Sequence, residues 1–170
     1  MNEPLEVEVG NLLRQKGMKL ALAESCTGGL VSHLVTNVPG SSEYYIGSVA
    51  AYAYEAKERL LGVRHETLIR YGAVSRETVM EMARGVRQAF CDVFPCEKTI
   101  SVAITGIAGP GGGMPNKPVG LVWFGMSTPD GDWAWHTIWK GDRLQIKQQS
   151  AERALELLID YLKGSLPEEK

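Results

Sequence analysis

The segment Glu24-Ser25-Cys26-Thr27-Gly28-Gly29 gathers two hydroxyls, a thiol and a carboxylate ahead of a glycine pair. The apolar run Leu20-Ala21-Leu22-Ala23 precedes it and reads as a buried strand; Leu30-Val31-Ser32-His33-Leu34-Val35 follows and reads as the start of a helix. Such a junction aims free backbone N–H groups and a helix N-terminus at the space beside the hydroxyl. That geometry suits attack on a carbonyl, because the developing oxyanion meets donors already in place. Two other readings stand beside it. Ser25 can be a helix cap, since serine is preferred there. Cys26 can be the nucleophile, since thiolates attack more readily than alcohols.

A serine nucleophile needs a base. None of the three histidines, His33, His65 and His136, has a clear partner carboxylate. A lysine with a lowered pKa can take that part, and Lys57 is the candidate if the fold carries it to Ser25; otherwise it is a solvated surface lysine. Tyr52, at the end of a second predicted strand, is placed to orient the lysine or relay a proton. After a third strand comes Thr105-Gly106-Ile107-Ala108-Gly109-Pro110-Gly111-Gly112-Gly113, with five glycines in the eight residues from Gly106. It is not a Walker A loop, and it lacks the dinucleotide glycine spacing. Its N–H groups can still cradle a phosphate, although a flexible crossover has the same composition. No histidine is spaced with a cysteine or carboxylate as a ligand set, so neither metal nor cofactor is expected.

These residues need elements to hold them. Leu5, Val9, Leu12 and Leu13 mark one face of an opening helix that ends near Gly17. Tyr45 to Tyr52 reads as a strand, and Glu55 to Leu61 as a short helix closed by Gly62. Ser75 caps a long helix with the stripe Val79, Met82, Val86, Ala89 and Phe90, ending at Pro95. Thr99 to Thr105 is a strand. Val119 to Met126 and Trp133 to Trp139 are two more, joined by Pro129-Asp130-Gly131. An amphipathic helix with Ile146, Ala154, Leu155, Leu158 and Leu162 closes the chain, and residues 165–170 read as a frayed tail. Strands alternating with helices, then a hairpin, predict one α/β domain over residues 1–170. Its architecture is a three-layer α/β/α sandwich with a mixed sheet.

Composition narrows the function. The chain has 170 residues, 22% charged, with net charge −2. That gives no electrostatic ground for nucleic acid or an anionic membrane. No signal peptide or membrane-length apolar run is present. The three cysteines, Cys26, Cys91 and Cys96, argue for a reducing cytoplasm and against a disulfide framework. Trp133, Trp135 and Trp139 lie on one face of a late strand. They predict a homodimer with at least two of them near the interface, unless the terminal helix covers them within one subunit.

Taken in order, several motifs point to one family. They are Ala23-Glu24-Ser25-Cys26-Thr27-Gly28-Gly29, Ala51-Tyr52-x-x-Glu55-Ala56-Lys57-x-x-Leu60-Leu61-Gly62-Val63 and Gly72-Ala73-Val74-Ser75. Ile104-Thr105-Gly106-Ile107-Ala108-Gly109-Pro110-Gly111-Gly112, Lys117-Pro118-Val119-Gly120 and Gly141-Asp142-Arg143 complete the set. From Leu5 to Leu162 the chain resembles the C-terminal domain family of the competence/damage-inducible protein CinA. Stand-alone members of that family are nicotinamide mononucleotide (NMN) deamidases. The resemblance implies hydrolysis of the NMN carboxamide to nicotinate mononucleotide and ammonia, in pyridine-nucleotide salvage. It implies Ser25 as nucleophile, Lys57 as base and Tyr52 as an active-site tyrosine. It places substrate contacts at Thr27, Gly28, Gly29, Thr105, Gly106, Ala108, Gly109, Gly111 and Arg143, with the guanidinium suited to phosphate. A non-catalytic nucleotide-binding module of the same fold is the alternative. Three positions depart from the family pattern: Tyr54 for asparagine, Met114 for threonine or serine, and Leu121 for threonine. The larger CinA proteins carry an additional N-terminal domain, for which this chain has no room.

Overall fold

In the computed structural model, residues 3–170 are described. The five strands are β1 (Lys19–Glu24), β2 (Tyr45–Ala50), β3 (Thr99–Gly106), β4 (Leu121–Thr128) and β5 (Gly131–Ile138). They form one sheet in the order β2-β1-β3-β4-β5. β2, β1 and β3 are parallel; β4 adds antiparallel to β3, and β5 antiparallel to β4. The helices are α1 (Leu5–Lys16), α2 (Leu30–Thr36), α3 (Tyr54–Leu61), α4 (His65–Tyr71), α5 (Arg76–Gln88) and α6 (Arg143–Lys163).

Side-chain alternation along the strands separates two cores. Leu20, Leu22, Ile100, Val102, Ile104, Val122, Phe124 and Met126 face the layer of α1, α2 and α6. Ala21, Ala23, Ala103 and Ala134 face α3, α4 and α5. The second face is built of small residues, so α5 lies almost on the sheet. A Cβ on Gly125 would stand 2.6 Å from the Val79 carbonyl oxygen. The expected three-layer sandwich with a mixed sheet is therefore the fold.

The structure corrects the sequence reading in four places. α5 ends at Gln88, well before Pro95, because the Arg87 guanidinium donates to the Cys96 and Thr99 carbonyls and draws the chain back onto the helix end. α4 escaped notice because only Thr67 and Leu68 of its seven residues are buried. Cys91 and Cys96, expected as thiols, are joined in a disulfide with Cα atoms 4.9 Å apart; the same turn brings them together. The tail is not frayed. The Trp135 indole N–H donates to the Pro167 carbonyl (3.2 Å), and the Ala134 N–H donates to the Glu169 carboxylate (2.8 Å). Glu169 also pairs with Arg76, and the His136 Nδ1–H donates to the Lys170 main-chain oxygen at 2.7 Å. β5 is an edge strand, and its outward polar groups give the tail something to bind.

Trp135 is buried, and Trp133 and Trp139 pack against the core that α6 completes, with Trp133 tilted against Tyr161 at 6.1 Å. The terminal helix thus covers the stripe within one subunit. No described helix is long and apolar enough to cross a membrane.

Candidate active site

The site lies where the parallel strands end. The Ser25 N–H donates to the Ile104 carbonyl (2.9 Å), which holds the residue beside β3 just past the end of β1. The chain then reverses: the Gly28 N–H donates to the Ser25 carbonyl (3.0 Å), and Gly28 and Gly29 take φ of 61° and 100°. A side chain at either position would strain that left-handed backbone, which accounts for the glycine pair.

Glu24 performs the capping that Ser25 was a candidate for. Its carboxylate is fully buried and accepts from the N–H groups of Val31 (2.9 Å) and Ser32 (3.1 Å). It also accepts from the hydroxyls of Thr27 (2.7 Å) and Ser48 (3.4 Å). Ser25 caps no helix, and the first-turn donors of α2 are occupied from below rather than free for a ligand. The main-chain N–H groups of Cys26, Thr27 and Gly29 donate to no other group among the described residues. They, and not the helix, are the donors left beside the Ser25 hydroxyl. The sequence shows Glu24, but its role depends on a contact with residues seven and eight positions on.

Lys57 sits in the first turn of α3, and the fold brings it to Ser25. Its Nζ lies 3.0 Å from the Ser25 Oγ, 2.8 Å from the Ala51 carbonyl oxygen and 2.9 Å from the Tyr52 carbonyl oxygen. The side chain is 1% exposed. Burial brings its pKa down from 10.5 to about 8. The two carbonyls can only accept. In the neutral amine they take both N–H groups, leaving the lone pair for the Ser25 O–H.

The Tyr52 side chain does not touch Lys57; its main-chain carbonyl orients the amine instead. The phenol is 60% exposed and accepts from an Arg143 Nη2–H at 2.7 Å. Arg143 opens α6 behind a capping box in which Asp142 accepts from the Gln145 N–H and Gln145 accepts from the Asp142 N–H. Its Nη1–H donates to the Gly109 carbonyl at 2.6 Å. The guanidinium thus ties Tyr52 to the glycine-rich loop.

The loop residues have distinct placements. The Thr105 hydroxyl is buried and donates to the Ala73 carbonyl (2.9 Å), and the Thr27 hydroxyl is committed to Glu24. Gly106 is pressed against Val122, whose Cγ2 would lie 2.6 Å from an added Cβ. Ala108 is buried, whereas Gly111 is open, with no atom within 4 Å of where a Cβ would stand. Of the departures, Leu121 is buried and Met114 exposed. The Tyr54 hydroxyl accepts from the Ala73 N–H (3.2 Å) and braces the Gly72–Ser75 turn.

Cys26 is buried, and burial pushes its thiol up to about 12. It stays protonated at neutral pH, and the Lys57 amine meets the Ser25 hydroxyl rather than this thiol, so no base is placed to activate it. A concavity of about 940 Å³ between α3, α5 and the β4–β5 turn lies away from Ser25. Four of its charges pair with one another, Arg64 with Glu81 and Arg84 with Asp132.

The CinA C-terminal domain pattern matches residues 2–162. A CinA-like protein of Chloroherpeton thalassium is 45% identical over 169 residues, covering 95% of this chain and 38% of its own length. The chain therefore spans well under half of the curated relatives it matches. The crystal structure of a CinA superfamily protein from Klebsiella pneumoniae superposes with TM-score 0.87 at 31% identity, over 94% of this chain and 96% of the other. The competence/damage inducible protein CihA from Agrobacterium tumefaciens superposes with TM-score 0.80 at 35% identity, over 96% and 99%.

Proposed function

This chain belongs to the CinA C-terminal domain family, and from that premise we propose that it is a serine amidohydrolase acting on the carboxamide of NMN. The observation that carries the reading is the Lys57 Nζ, 3.0 Å from the Ser25 Oγ, buried and anchored by two carbonyls that cannot give it a proton. A lysine so placed supplies a base without a histidine.

The reaction proceeds in two stages. Lys57 takes the hydroxyl proton as the Ser25 Oγ attacks the amide carbon. The oxyanion forms against the N–H groups of the Cys26–Gly29 turn. Collapse expels the nitrogen, which takes the proton back from Lys57 and leaves as ammonia. The resulting ester on Ser25 is opened by water, deprotonated by the same lysine. Nicotinate mononucleotide departs, and the Ser25 proton is restored. Arg143 and the Gly109–Gly111 segment receive the nucleotide end. A place in pyridine-nucleotide salvage follows from that chemistry.

The test is to incubate the pure protein with NMN and measure ammonia and nicotinate mononucleotide. Stoichiometric release, abolished in Ser25→Ala, is the expected outcome. NMN binding without turnover would instead favour a nucleotide-binding module.

A further inference from the structure

The glycine-rich loop meets the rest of the chain at few points. Its base is closed where the Ile107 N–H donates to the Leu121 carbonyl (2.9 Å) and the Gly120 N–H to the Ile107 carbonyl (2.8 Å). Its tip closes on itself: Met114 and Lys117 exchange main-chain hydrogen bonds of 2.8 and 3.0 Å. The glycines between give the span little stiffness. Among the described residues, two hydrogen bonds tie residues 108–117 to other elements. One is the Arg143 bond to the Gly109 carbonyl. The other is made by the partly buried Lys117, whose ammonium donates to the Tyr71 carbonyl, 46 positions away.

Tyr71 is the last residue of α4. A helix leaves its final carbonyls without intrahelical partners, at its negative pole, where a cation is favoured. Gly72 keeps the approach clear. Its φ is 78°, and a Cβ there would stand 3.0 Å from the Lys117 Nζ. The anchor is itself braced. The Gly72 carbonyl accepts from the hydroxyls of Ser75 (3.0 Å) and Thr78 (2.7 Å). The Ala73 N–H donates to the Tyr54 hydroxyl (3.2 Å), and the Ala73 carbonyl accepts from Thr105 (2.9 Å). Tyr54 opens α3, the helix of Lys57, and Thr105 follows Ile104, whose carbonyl holds the Ser25 N–H. The segment that Lys117 grips is therefore fixed to the elements carrying the proposed base and nucleophile.

We propose that Lys117 is a positioning residue: through Tyr71 it tethers the glycine-rich loop to the framework of Ser25 and Lys57, so that the loop meets the substrate already ordered. The effect on turnover rests on the amidohydrolase reading; the tether itself does not. A loop ordered in advance spares the substrate the cost of ordering it. Loss of the tether should weaken substrate binding and spare the chemical step, because Lys117 bonds to neither Ser25 nor Lys57.

The experiment is hydrogen–deuterium exchange on the full chain, read over residues 107–120, together with NMN kinetics. Lys117→Met keeps the stem and removes the donors. Exchange in the loop should quicken about tenfold, as loss of one charge-assisted hydrogen bond implies, while α1 and β1 exchange as in the parent. KM for NMN should rise about tenfold with kcat within about twofold of the parent's. Lys117→Arg, which can still donate to a carbonyl, should restore both. Unchanged exchange in the loop overturns the tether, and so does quickening spread over the whole chain. A loosened loop with unchanged KM, or a loss of kcat at unchanged KM, overturns the positioning role. If the loop loosens in Lys117→Met while the parent turns over no NMN, the tether stands and the deamidase reading falls, taking the positioning role with it.

Discussion

A buried ammonium needs a counter-ion or gives up its proton. Lys57 has neutral oxygens on every side, and its pKa falls to about 8. At pH 7 roughly a tenth of it is then free base, against less than a thousandth for an ordinary lysine. The base acts deprotonated, so kcat/KM for NMN should fall about tenfold per pH unit below 8 and level off above it. A profile that declines as pH rises through 8 would contradict the role. Lys57→Arg should be inactive throughout, because arginine keeps its proton. At Ser25, replacement by alanine should abolish ammonia release, while Cys26→Ala retains it; the opposite result would transfer the chemistry to the thiol.

At the scale of elements, the junction of β1 and α2 is held by one carboxylate. Glu24 joins the turn, the first turn of α2 and Ser48 of β2. In Glu24→Gln an amide NH₂ replaces one accepting oxygen and faces an N–H donor. The expected cost is about 1–3 kcal/mol, the penalty for a buried donor left unmet, measurable by urea unfolding. Turnover should fall by more than stability accounts for, since the same contacts set the backbone that aims Ser25. An unfolding midpoint and kcat both equal to the parent's would remove Glu24 from this role.

For the whole molecule, the tryptophan stripe packs within one subunit, with Trp135 buried and Trp133 and Trp139 half-buried. Trp135 is 4% exposed and donates to the tail. Trp135→Ala should cost about 3–5 kcal/mol, as large core truncations do, and lower the thermal midpoint. It should leave the mass in light scattering unchanged. A homodimer remains our proposal, but it must be built on another surface, because α6 and the tail already cover this one. A change of mass at constant stability in Trp135→Ala would return the interface to the stripe.

The sequence by itself determined what depends on near neighbours. Gly17 and Gly62 close α1 and α3, Ser75 caps α5, and alternation marks the central strands. The proposed nucleophile, the proposed base and the loop were legible as residue types and as a family resemblance. Tertiary structure alone decided which groups meet. Ser25 and Lys57 are 32 positions apart, and Tyr52 and Arg143 are 91 apart. It also turned the Tyr52 phenol away from the lysine, gave the cap to Glu24 and docked the tail on β5. None of these has a local signature. A hydrogen bond between distant residues depends on where the packed layers bring two chain segments, and burial, which lowers the Lys57 pKa, exists only once those layers have closed.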